Sequence, residues 1–92
     1  MGTIIEKFDV VFSRIDNKHR IFEASLKVFQ LDDGFKSRIN YSYDEQRSPE
    51  QMVWIKSGVE EFSHPDKDES VNNAKSWLQE RIGDFQLHRQ RS

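Results

Sequence analysis

The stretch Ser70–Phe85, SVNNAKSWLQERIGDF, is the part of the chain from which a fold can be built outward. At 100° per residue, Val71, Ala74, Trp77, Leu78, Ile82 and Phe85 fall within an arc of about 140°, the width of a core-facing helix stripe. Asn72, Asn73, Lys75, Ser76, Gln79 and Glu80 fill the rest of the circumference. The pattern predicts a helix over 70–83 that begins near Ser70 and stops at Gly83. Arg81 falls inside the apolar arc one turn after Trp77, where its guanidinium can stack on the indole. Such a stripe needs an apolar surface to lie on.

The first half of the chain supplies that surface. Along Thr3–Ser13, Ile4, Phe8, Val10 and Phe12 share one parity, with Glu6 the exception, while Ile5, Lys7, Asp9 and Val11 share the other. Arg20 to Leu31 alternates again, with Phe22, Ala24, Leu26 and Val28 inward, and so does Phe35 to Tyr43, with Ile39, Tyr41 and Tyr43 inward. Period-two alternation of this kind is the mark of half-buried strands. Asp16-Asn17-Lys18 reads as the first turn, and Asp33-Gly34 as a two-residue type I′ hairpin turn. That second turn pairs Val28 with Ile39, Leu26 with Tyr41 and Ala24 with Tyr43. The first pairs Phe12 with Phe22, Val10 with Ala24 and Phe8 with Leu26. Both sets join inward residues, as a one-sided sheet requires.

After a polar connection over 44–48, Ser48-Pro49-Glu50-Gln51 has the form of a helix start, with Ser as N-cap, Pro at the first helical position and Gln completing a capping box. Met52, Ile55, Val59 and Phe62 continue it at helical spacing. Gly58 disagrees, costing about 1 kcal/mol relative to Ala inside a helix. Val53, Trp54 and Ile55 also suit a fourth strand over 51–56. The helical reading gives one α+β domain spanning residues 1–92. It consists of a three-stranded antiparallel meander (residues 3–43) and two helices, about 49–62 and 70–83, packed on one face in the order β-β-β-α-α. The basic tail 86–92 is expected to fray.

Composition narrows the chemistry. The chain has no cysteine, which excludes disulfides, Cys-based zinc sites and thiol catalysis. Eleven aromatics and a net charge of −2 set it apart from disordered chains. The N-terminal residues lack the form of a signal peptide, and no apolar run is long enough to span a membrane, so a soluble, cytoplasmic protein is expected. Charge is uneven: residues 1–43 carry a net +1, residues 44–73 a net −5 and residues 74–92 a net +2. His19, His64 and His88 are not at metal-ligand spacing, and the four glycines form no phosphate loop. No enzyme activity, metal, cofactor or small-molecule substrate is expected.

The outward sheet face carries the functional expectation. The turn positions place Lys7, Lys27 and Asn40 in one row, Ile5, Phe29 and Arg38 in the next, and Leu31 beside Lys36. This is a basic surface around an aromatic. It suits either a protein partner anchored by Phe29 or a single-stranded nucleic acid stacked on it. Ile5, Val11, Ile21 and Leu31 on the same side would enlarge an apolar interface. Arg14, Lys18 and Arg20 at the first hairpin tip, and Trp54 off the stripe of its helix, complete the contact residues.

The opening Gly2-Thr3-Ile4-Ile5-Glu6-Lys7-Phe8-Asp9-Val10-Val11-Phe12, the single small domain, the lack of cysteine and the mild acidity with charged patches resemble the phage-encoded inhibitors known as anti-CRISPR proteins, of the type I-F class. That class shares no sequence pattern, so the resemblance assigns no residue a role. It implies a non-enzymatic inhibitor that binds an RNA-guided surveillance complex, Cas proteins assembled on guide RNA, and blocks recognition of target DNA. The partner would be a protein complex with guide-RNA contacts, met by a monomer or weak homodimer in a host bacterial cytoplasm. A small nucleic-acid-binding domain using the same basic and aromatic face is the alternative.

Overall fold

A computed structural model describes residues 2–12, 21–45 and 54–90, and among these are five strands and one helix. In chain order they are β1 (Thr3–Phe12), β2 (Ile21–Leu31), β3 (Gly34–Glu45), β4 (Trp54–His64), α1 (Lys67–Ile82) and β5 (Phe85–Arg89). The strands form one antiparallel sheet in the order β4-β3-β2-β1-β5. α1 therefore carries the chain from one edge of the sheet to the other, lying over β3 and β4 and touching β2 less.

The expected three-stranded meander with two helices is thus corrected to a five-stranded sheet with one. The helix expected over 49–62 is a strand wherever it is described. Its capping set, Ser48-Pro49-Glu50-Gln51, lies outside the described residues. Within β4 the apparent stripe divides between the two faces, with Val59 turned away from α1 and 54% exposed and Phe62 packed on the core. Gly58, which disagreed with a helix, fits the strand for a local reason. The Tyr41 ring lies across it, and a Cβ added there would stand 2.4 Å from Tyr41 Cζ.

The C-terminal tail is corrected as well. Gly83, at φ 73°, ends α1 where the sequence places its stop. Phe85 is not the end of the helical stripe but the first residue of β5. Residues expected to fray pair with β1 instead, Leu87 with Val10 and Arg89 with Phe8. Phe85 and Leu87 pack against the core, while Gln86 and His88 face solvent.

Registers differ in an instructive way. Phe8 pairs with Leu26, as the first expected turn requires, although that turn itself lies outside the described residues. The second hairpin turns at Asp32-Asp33, not Asp33-Gly34, so Leu26 faces Ile39, Ala24 faces Tyr41 and Val28 faces Ser37. A displacement of two residues keeps every side chain on its expected face while exchanging its cross-strand partner. An irregularity between Ile21 and Glu23 turns Ile21, expected outward, into the core at 2% exposure.

The core lies between the sheet and α1: Val10, Ile21, Ala24, Leu26 and Ile39 against Ala74, Leu78 and Ile82. Asp66 caps α1, its carboxylate accepting from the Asp68 backbone N–H at 2.8 Å, with Asp68 and Glu69 in the first turn. The expected start, Ser70, is one turn inside and fully buried. Its hydroxyl donates to the Phe62 carbonyl at 2.7 Å and lies 2.9 Å from Ser37 Oγ. Because a hydroxyl has one proton to give, Ser37 must donate to Ser70. Glu6, the exception to the β1 alternation, faces the helix side and is bound by Lys67 of α1, with Arg89 Nη2 3.7 Å away. A carboxylate on the apolar parity is thereby matched by two cations from other elements.

Tyr41 and Trp77 pack with ring centroids 5.1 Å apart, and Arg81 stacks on Trp77 at 4.2 Å. Partial burial raises the Tyr41 pKa above 10.0, with the nearby Glu60 carboxylate and Tyr43 adding to the effect and Arg81 opposing it. The folded state therefore holds this proton more tightly than the unfolded chain. That contribution to stability is intact below pH 10.0 and is lost as pH rises from there through the raised folded value. Spectroscopic titration of the phenol should show Tyr41 ionising at lower pH in Glu60→Gln than in the wild type. An unchanged titration would remove Glu60 from the explanation.

Candidate functional site

The sheet face opposite α1 has no element covering it among the described residues. Ser37 reaches α1 and Leu26, Val28 and Ile39 are buried, so the alternate positions Lys27, Phe29, Lys36 and Arg38 point the other way. Four rows follow from the registers. They are Ile4, Phe29, Lys36, Ser63; Lys7, Lys27, Arg38, Glu61; Asp9, Ser25, Asn40, Val59; and Glu23, Ser42, Ser57, with Val11 beside them. The first two rows hold four cations against the Glu61 carboxylate, and the other two hold Asp9 and Glu23. The face is electrically polarised along its strands.

The sequence-derived residues divide by environment. Phe29, expected at the centre of this face, lies on it in an end row and is only 7% exposed. Lys36 Nζ and Arg38 Cζ cover its ring at 5.2 and 4.7 Å. Both cations are held in place by Glu61, whose Oε2 accepts from Arg38 Nε at 2.8 Å and lies 3.2 Å from Lys36 Nζ. These hydrogen bonds, Arg38 first and Lys36 second, lower the Glu61 pKa. The quartet satisfies itself, so Phe29 offers no open ring for stacking. Its row partners are Ile4 and Lys36, not Ile5 and Arg38.

Lys7 and Lys27 are different. They are direct cross-strand partners, and neither has an ion pair among the described residues. Like charges placed opposite each other in a sheet are destabilising. This is the most prominent unbalanced charge on the face, and it lies beside Arg38. Ile5 and Val11 are 39% and 40% exposed. Trp54 opens β4 at the sheet edge opposite Glu45. Arg14, Lys18 and Arg20 lie outside the described residues.

Beside the basic rows is a shallow open trough of about 480 Å³. Ser25, Asn40, Ser42 and Ser57 form it because their side chains are short, with the Gly58 backbone also lining it and Asp9, Glu23 and Val59 at its walls. Asp9 and Glu23 thus share one depression, a juxtaposition that the sequence reading missed although its first register implies it. Gln90 Nε2 donates to Asp9 Oδ1 at 2.6 Å. The trough offers hydroxyl, amide and carboxylate groups for hydrogen bonding. Among the described residues no group of three or more His, Cys, Asp or Glu could hold a metal ion, and no helix is long and apolar enough to cross a membrane. No protein-family model, curated protein or solved structure matches the chain.

Proposed function

We propose that the protein is a non-enzymatic binding module that occludes a surface of a larger assembly with the sheet face opposite α1. The observation that carries this reading is the Lys7–Lys27 pair: two opposed cations without a carboxylate, on a face that nothing described covers. A partner's anionic groups would relieve their repulsion, and the adjacent trough supplies hydrogen-bonding groups that fix orientation. The assembly implied by the resemblance is an RNA-guided CRISPR surveillance complex. The lysines suit guide-RNA phosphates or acidic Cas side chains, and occupancy there would block recognition of target DNA. Direct single-strand binding through stacking has less support, because the Phe29 ring is already covered on this face.

The test is the double substitution Lys7→Glu with Lys27→Glu. It keeps a like-charge pair on the fold and reverses the charge that a partner meets; Lys7→Glu alone, which leaves Lys27 opposite Arg38, controls for effects on the Arg38–Glu61 pair. Affinity for the surveillance complex, measured by surface plasmon resonance, should fall by at least about tenfold. Lys75→Glu, on the exposed side of α1, should leave it unchanged. Equal affinity in the double variant and the wild type would overturn the assignment of this face. Steeply salt-dependent binding to isolated RNA would instead point to direct nucleic-acid recognition.

A further inference from the structure

We propose that β4 pairs antiparallel with β4 of a second copy of this chain, about a two-fold axis through Gly58. β4 is an edge strand, and no described strand lies beyond it. Its inner side pairs with β3 without interruption from His64 to Trp54, so its outer side is a regular row of backbone donors and acceptors. Edges of this kind are ordinarily blunted by bulges, prolines, short length or charged side chains. The other side of the sheet shows such devices: β5 has only five residues, and an irregularity lies between Ile4 and Glu6 of β1. β4 has eleven residues, no register shift and no proline, and its inward charges, Lys56 and Glu60, are of opposite sign and so do not bar a second copy.

The charges along β4 select the occupant. Lys56, Gly58, Glu60 and Phe62 share the α1 side of the strand, opposite Tyr43, Tyr41, Ile39 and Ser37. Glu60 forms no ion pair among the described residues, and its charge presses on Tyr41. With the axis at Gly58, Lys56 of each copy stands opposite Glu60 of the other, twice per dimer. Moving the axis to Val59 sets Lys56 against Phe62 and Gly58 against Glu60. Moving it to Glu60 sets two carboxylates against each other. Only the first of these registers is self-complementary, and it leaves Glu61 with Arg38 and Lys36. A two-fold operation makes such an interface closed, so it ends at a dimer. Both helices then lie on one side of a ten-stranded sheet, and both Lys7–Lys27 pairs lie on the other.

Sedimentation equilibrium of the full chain tests this. The wild type should dimerise reversibly with concentration, whereas Lys56→Glu and Glu60→Lys should each weaken association by at least about tenfold. An equimolar mixture of the two variants should associate again, because every Glu–Glu and Lys–Lys opposition becomes a Glu–Lys pair. Since the chain has no cysteine, Ser57→Cys mixed with Val59→Cys should form an intermolecular disulfide, the two positions being opposed in this register. A wild type that stays monomeric at all concentrations, variants that fail to recover on mixing, or a disulfide formed readily by Val59→Cys alone would each overturn the proposal.

Discussion

Replacing Leu78 with alanine lowers the unfolding free energy by about 2–5 kcal/mol, the largest expected loss from a single side chain in this protein. Leu78 is fully buried, one turn from Ala74 and Ile82, at the centre of the contact between α1 and the sheet. α1 is the one described helix, so no other helix can move in to fill the void. The apolar fraction is 35%, so few other side chains share the load. A domain of this length has a total stability of about 5–14 kcal/mol, and the substitution removes a large part of it. The melting temperature should fall by roughly 8 °C or more. Urea denaturation should show a lower midpoint at unchanged slope, since the surface exposed on unfolding hardly changes. A loss below about 1 kcal/mol would mean that α1 does not seat Leu78 on the sheet.

Gly34→Ala should cost about 2–4 kcal/mol, combining overpacking with backbone strain at its φ of 156°. An added Cβ would stand 2.8 Å from the His64 carbonyl oxygen and 2.9 Å from Pro65 Cα. Both are backbone atoms at the junction of β4 and α1, so neither can swing aside as a side-chain tip would. Gly34→Asn separates this reading from a turn role. Asparagine tolerates the tighter left-handed conformation of a hairpin turn, but at a φ of 156° that tolerance gives it nothing and it carries the same Cβ. It should therefore be as damaging as alanine when both variants are compared by thermal denaturation. Full tolerance of asparagine would return Gly34 to the turn.

These two residues also show how much of the fold the sequence makes legible. Leu78 lies in a stripe whose every member from Val71 to Ile82 packs on the core, because a helix on one sheet face must be apolar on one side only. The start of that helix was legible too, in Asp66 followed by Asp68 and Glu69, but the apolar stripe drew attention to Ser70. Gly34 looked like a turn residue because Asp-Gly has that habit. Its actual reason, the backbone of residues 64 and 65, is a tertiary contact with no local signature. β4 was legible only at its start, as the alternative strand that Val53, Trp54 and Ile55 suit, for a related cause. Its α1-side positions are Lys56, Gly58, Glu60 and Phe62, which lack apolar alternation because the Tyr41 ring covers the sheet at Gly58. β5 is short and basic, and its two apolar residues resembled the end of a helix and the start of a tail.

The outward face was legible in outline, since parity alone placed Lys7, Lys27, Phe29, Lys36 and Arg38 on it. The energetic state of each was not. That Lys36 faces Phe29 follows from a register displaced by two residues, which parity cannot detect, and that Glu61 is committed follows from β4 pairing with β3 where a helix was expected. The unbalanced Lys7–Lys27 pair, in contrast, was already implied by the first hairpin, whose register the structure retains from Glu6 to Asp9.

The pairing of β5 with β1 also sets a schedule for synthesis. β1 emerges from the ribosome well before its outer neighbour, with Phe12 opposite Phe85 and Phe8 opposite Arg89. At about 5–20 residues per second, roughly 4–15 seconds separate Phe12 from Phe85. Throughout that interval Val10 lacks Leu87 beside it, and β1 stands as a vacant edge. β5, translated after every other described strand, is therefore the one that shields the earliest of them.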